Sequence, residues 1–218
     1  TLADPDELRG QAARLQAELE AGKIHGPLHG IPLGVKDVIE TKGLRTTGGS
    51  AALDDFVPEQ DAAAVERLRR AGALIVGKNN THEFAFGVTN ANVRFGQCHN
   101  PRDTTRVPGG SSGGGGAAVG GGMLIGSLST DTGASIRRPA AFCGVVGFKP
   151  SLGRVSRRGA ILLSWSLDHV GPIAATVADA VAILDAIAGH DPGDSASRTD
   201  AWEPLLPSLG QPHGIGTA

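Results

Sequence analysis

Cysteine is scarce: Cys98 and Cys143 are the only two in 218 residues. That pair makes no disulfide framework, and a reducing cytoplasm is the simplest setting for it. Long apolar runs are missing too. None approaches the roughly 18 residues of a membrane span, and the first residues do not read as a signal peptide. An excess of charge is absent, with a formal net charge of -2. No basic cluster is interleaved with aromatics, so nucleic acid is not expected as a direct partner. The seven histidines are scattered and no CxxC occurs, so neither a metal nor a cofactor is expected.

What remains is an ordinary globular composition, 40% hydrophobic and 19% charged, enough for one sizeable core or a large part of one. Asp4-Pro5-Asp6-Glu7 reads as N-cap, N1 proline and an acid at N3. Leu8, Ala12, Leu15 and Leu19 follow at helical spacing and Gly22 closes the helix. A second helix is expected from Asp61 through Val65 and Leu68 to Gly72, followed at once by the buried strand Ala73–Val76. Ile31–Ile39 reads as another strand, broken by Gly34 and carrying a single lysine, Lys36; Leu124–Leu128 is a third. Thr176 with Asp179 caps a last helix through Val181, Leu184 and Ala188, stopped by Gly189. Helices alternating with short apolar strands argue for an α/β fold. Beyond about residue 190 the chain turns polar and rich in Pro, Gly and Ser, and no regular element is expected there.

The stretch from Val107 to Gly122 holds nine glycines in sixteen positions. Either it is a flexible linker, or it brings backbone close to something that tolerates no side chain. It lacks the GK[ST] of a P-loop. A dinucleotide fingerprint fits only as Gly113, Gly115 and Ala118, with turn-like sequence where a strand is required. The hydrolase elbow GxSxG matches at Ser111 and at Ser112, but the adjacent Asp168 and His169 cannot form the separate arms of a triad. Further along, Thr132, Gly133 and Ala134 precede Ser135 and a short helix. Small residues there leave consecutive amides free to converge on an anion, which beside a serine makes an oxyanion hole. Lys36 is the most suggestive base, since burial would lower its pKa. On pattern alone, a strand-end lysine reaching solvent accounts for it better.

The stretches GPLHGIPLGVKDVIETKGLRTTGGS (26–50), DAAAVERLRRAGALIVGKNNTHEFAFG (61–87), NPRDTTRVPGGSSGGGGAAV (100–119), STDTGASIRRPAAFCGVVGFKPSLGRVS (129–156) and LSWSLDHVGPIAATVADAVAILDAIAGHDP (163–192) resemble the amidase signature hydrolases, in that family's order. The resemblance implies a mixed β-sheet flanked by helices on both faces, and amide hydrolysis by a Ser–cis-Ser–Lys triad through an acyl-enzyme. Carried over, Lys36 is the base, Ser111 the bridging serine beside a cis peptide, and Ser135 the nucleophile. The amides of Thr132, Gly133, Ala134 and Ser135 would form the oxyanion hole, with Ser112, Asp131 and Arg137 in support. His29 and His169 take loop or hydrogen-bonding roles, and Cys143 is expected to be a small buried side chain.

Two departures stand out. Where the family has Gly-Gly before the nucleophile, this chain has Gly133-Ala134, which strains the backbone if φ there is positive. Family members are also much longer. Residues 1–195 are therefore read as an incomplete amidase signature domain and 196–218 as a tail of uncertain structure. Either homo-oligomerisation or association with a missing C-terminal half is expected, since half a sheet leaves an open edge. The substrate is expected to be a small-molecule amide. THEFAFG and LSWSLDHVGP favour a stand-alone amidase over the glutaminase subunit of a tRNA-dependent amidotransferase; an inactive fragment is the third reading.

Overall fold

Capping decides the first helix. In the computed structural model, which describes residues 1–210, α1 (Pro5–Glu20) starts where Asp4 accepts from the amides of Asp6 and Glu7. Its apolar stripe forms as expected, yet none of its residues is buried. The other elements are β1 (Pro32–Lys36), α2 (Ala63–Arg70), β2 (Leu74–Asn79), α3 (Gly113–Gly120), β3 (Gly126–Asp131), α4 (Arg137–Cys143), β4 (Val146–Gly147), β5 (His169–Ala174) and α5 (Val177–Ile187). They build one five-stranded mixed sheet in the order β2-β1-β3-β5-β4. β1 runs parallel to both β2 and β3, while β5 is antiparallel to β3 and β4.

Side-chain alternation assigns the two faces. Leu33, Val35 and Leu128 join Val65 and Leu68 of α2 and Ile183, Leu184 and Ile187 of α5 in the larger core. A smaller cluster of Val119, Ile136, Ala140 and Ile173 lies between the sheet and α3 and α4. On that second face β3 presents Ser127 and Ser129, which lets the glycine helix α3 approach closely: a Cβ on Gly115 would lie 2.6 Å from Ser127 Oγ.

Several elements differ from expectation. The α2 N-cap is Ala62, not Asp61, whose carboxylate instead accepts from the Lys42 amide and the Arg69 guanidinium. The third strand starts at Gly126, because Leu124 packs against the smaller core instead of entering the sheet. β5 carries no strand signal in the sequence, since Gly171 and Pro172 read as breakers; in fact a Cβ on Gly171 would meet the Phe148 carbonyl at 2.4 Å. Past residue 195 the chain is anchored to α5: Trp202 Nε1 and the amides of Leu205 and Leu206 all donate to Asp185. The rest of the expected tail, 211–218, lies outside the described residues. Among the described residues no helix is long and apolar enough to cross a membrane.

Candidate active site

Lys36 ends β1 and Asp131 ends the adjacent parallel strand β3, so the region beyond their carboxyl ends is where open α/β sheets bind ligands. Lys36 is wholly buried, with Nζ 2.7 Å from Ser111 Oγ and 2.7 Å from Thr130 Oγ1. Burial drives its pKa down to about 7, against the opposing pull of Asp131 and Asp168. A second buried lysine, Lys78, is also depressed to about 7 by burial. It is spent on the Ile39 carbonyl, the hydroxyls of Thr41 and Thr46 and the Asp37 carboxylate, and among the described residues it reaches no serine. Geometry, not pKa, separates the two.

Ser111 lies on the turn into α3, after a cis peptide between Gly110 and Ser111. Its carbonyl accepts from the His82 amide and the Thr81 hydroxyl. Ser112 is buried with its Oγ donating to the Thr130 carbonyl, and its amide donates to the Ser135 carbonyl at 3.3 Å. Ser135 is 7% exposed. Among the described residues no hydrogen bond joins its Oγ to Ser111.

Residues 132–135 form the turn between β3 and α4. The amides of Thr132, Gly133 and Ser135 donate to no acceptor among the described residues, as an anion nest requires. Ala134 departs from the expected set: its amide donates to Asp131 Oδ1 at 2.9 Å, which leaves three free donors. Asp131 also accepts from the amide of Ile136 and from the Arg137 guanidinium. Burial pushes its carboxyl up, but the Arg137 guanidinium and these amides outweigh that and hold it below the usual carboxylate range.

Ala134 has φ +83°, the left-handed region that costs an L-residue about 1–2 kcal/mol. Ala134→Gly removes that strain but adds glycine's unfolded-state entropy, so the expected net gain is about 0.5–1 kcal/mol. A rise in thermal midpoint measured by calorimetry checks this, and a fall would contradict the strain argument.

Sequence reasoning missed three residues. Thr130 is the second partner of Lys36 and carried no sequence signal. Arg138 forks onto the carbonyls of Gly110 and Gly133, at 3.1 Å each, stapling the Ser111 turn to the nest; its place directly after Ile136-Arg137 in the family-like stretch 129–156 was the available hint. Asp168 accepts from Thr132 Oγ1, whereas in the sequence it was considered only as a triad acid and set aside. His29 and His169 take minor roles, their rings facing the carbonyls of Leu15 and Leu167. His25 and His29 form the one HxxxH spacing in the chain; their rings stack 5.3 Å apart, and His25 pairs with Glu18. Cys143 is buried as expected, and burial pushes its thiol up to about 11.

A buried, deprotonatable lysine against one serine, with a second serine beside a row of free amides, is the arrangement a serine hydrolase of the Ser–Lys kind needs. The amidase family model matches residues 1–213. The chain is 53% identical over 204 residues to a glutamyl-tRNA(Gln) amidotransferase subunit of Anaeromyxobacter sp. (strain K), covering 94% of this chain and 42% of that one. Its structure superposes on native peptide amidase from Stenotrophomonas maltophilia with a TM-score of 0.89 at 42% identity, over 94% of this chain and 44% of that one. It superposes on the corresponding amidotransferase subunit from Thermotoga maritima with a TM-score of 0.79 at 40% identity, over 88% and 46%. This chain belongs to the amidase family. It spans less than half the length of the curated relatives it matches.

Proposed function

We propose that this chain carries the catalytic groups of an amide hydrolase, with Lys36 as base, Ser111 as proton relay and Ser135 as nucleophile. The observation that carries the reading is the 2.7 Å contact between buried Lys36 Nζ and Ser111 Oγ. Neutral Lys36 accepts the Ser111 proton, Ser111 takes that of Ser135, and Ser135 Oγ attacks the amide carbonyl. The amides of Thr132, Gly133 and Ser135 receive the oxyanion. The protons return to the departing amine or ammonia, and water then cleaves the acyl-enzyme. Ser135 must close onto Ser111 for this relay, and such catalytic contacts commonly tighten only when substrate is bound. Ser112 and Arg137 hold the two turns in place, and no cofactor takes part in the scheme.

A serine-directed fluorophosphonate tests the assignment, with the adduct mapped by mass spectrometry. Labelling is expected at Ser135, lost in Ser135→Ala and slowed in Ser111→Ala and Lys36→Ala. An adduct at Ser112, or one that survives Ser135→Ala, would overturn it.

The substrate separates two readings. The motifs THEFAFG and LSWSLDHVGP favour a stand-alone amidase acting on small-molecule amides. The amidotransferase subunits that match at about half identity favour the side-chain carboxamide of glutamine, hydrolysed in company with partner subunits. Hydrolysis of simple amides without a partner supports the first; glutamine hydrolysis that needs partner subunits and charged tRNA supports the second.

A further inference from the structure

Asp168 immediately precedes β5 and comes next in register to Thr132, because Asp131 pairs with His169 at the end of the β3–β5 ladder. It is buried, and its two oxygens face different segments. Oδ1 accepts from Thr132 Oγ1 at 2.5 Å. Oδ2 accepts from the amides of Leu163 and Ser164 at 2.7 and 3.0 Å. The Asp168 amide closes the same loop on the Ser164 carbonyl. One carboxylate thus joins the first residue of the amide nest to a loop whose Leu162, Leu163, Trp165 and Leu167 side chains are exposed.

Asp131 clamps the nest from the Ala134 and Arg137 side, and it leaves Thr132 untouched. Thr132 contributes one of the three free amides, and among the described residues only Asp168 holds its side chain by a hydrogen bond. We propose that Asp168 is a positioning residue for amide hydrolysis, aiming the Thr132 amide through its hydroxyl and tying the order of loop 162–167 to the geometry of the nest. This rests on the reading of Ser135 as nucleophile given above. Asp168 donates no proton and touches no reacting atom. It restricts Thr132 to one side-chain and backbone orientation, and donor placement to within a fraction of an ångström decides how well an oxyanion is held.

The test uses Thr132→Val, which keeps the shape and removes the hydroxyl, with Thr132→Ser as the conservative rescue. Two readouts are followed in parent and variants: steady-state hydrolysis of a simple amide, and hydrogen exchange of the Leu163 and Ser164 amides. In Thr132→Val, kcat is expected to fall about tenfold to thirtyfold with KM nearly unchanged, less than the 10²–10³ lost with an oxyanion donor itself. Thr132→Ser should recover most of it. Exchange at Leu163 and Ser164 should rise about tenfold in Thr132→Val, although neither residue was altered and Asp168 is intact. An unchanged kcat, a fall that Thr132→Ser does not rescue, or unaltered exchange at the loop would each overturn the proposal. Were the parent chain to hydrolyse nothing, the functional reading would fail and the exchange measurement would decide the link alone: a rise sustains it, and no rise removes it.

Discussion

Lys36→Met is expected to lower amide turnover by about three to four orders of magnitude, the range for losing a positioned base that activates a nucleophile. Methionine keeps most of the length of the buried side chain and removes the only base in contact with Ser111 among the described residues. In the parent protein, activity should rise with pH through about 7, because only the neutral amine accepts a proton and burial has brought Lys36 to that value. Below it, the ammonium form donates to Ser111 and Thr130 and the relay stops. Stability should follow the same sign. The lysine holds its proton in the unfolded chain up to its ordinary value of 10.5 and loses it near 7 in the folded one. The unfolded state therefore binds more protons between these limits, and stability climbs with pH across that window. Lys78 adds a like contribution, so Lys36→Met should flatten the climb without abolishing it. Urea unfolding at pH 7 and pH 9, alongside initial rates, checks both halves. A variant with parental turnover would remove Lys36 from the mechanism.

Gly114→Ala should destabilise the fold by about 3 kcal/mol, lowering the thermal midpoint by about 6–12 °C for a chain of this size. Helix propensity alone gives the opposite sign, since alanine in a helix interior is favoured over glycine by about 1 kcal/mol. Space decides against propensity. A Cβ on Gly114 would lie 2.4 Å from the Asn80 carbonyl oxygen and 2.5 Å from the Asn80 amide nitrogen. Both are backbone atoms next to β2, and neither can rotate away. The Gly114 amide donates to that same carbonyl, so relieving the clash also costs a buried hydrogen bond. Because Ser111 and Ser112 form the turn that leads into α3, labelling of Ser135 should fall together with stability. A higher midpoint in this variant would show that α3 is not packed as tightly as the distances state.

These two predictions mark how far the residues could be read without the fold. Caps are local, so Asp4 and Thr176 announced α1 and α5 correctly: a side-chain oxygen meets an amide two or three residues on, wherever the helix later packs. The glycine run was not local in this sense. No scale of intrinsic preference calls Gly113–Gly120 a helix. The fold accepts one there because Asn80, Asn90, Ser127 and Pro139 lie too close for any side chain on its first turn. β5 was hidden for a related reason, since Gly171 and Pro172 look like breakers until the Phe148 backbone is seen against them. Asp168 was visible but set aside, because next to His169 it cannot be a separate triad arm and its true partners lie 36 and 5 residues away.

By itself the sequence determined the chemical inventory: one lysine in an apolar strand, serines at 111, 112 and 135, small residues before the last of them, and order and spacing that match a family. Through that match it named Lys36 as the partner of Ser111, but no local signal could show how two residues so far apart in the chain come to meet. Strand order decided that. β1 lies between β2 and β3, which directs Lys36 under the turn that opens α3 and leaves Lys78 among threonine hydroxyls one strand further out. Only when the chain is folded does the sequence separation of 75 between Lys36 and Ser111 collapse to one hydrogen bond. The water lost around Lys36 on the way is what lowers its pKa to about 7.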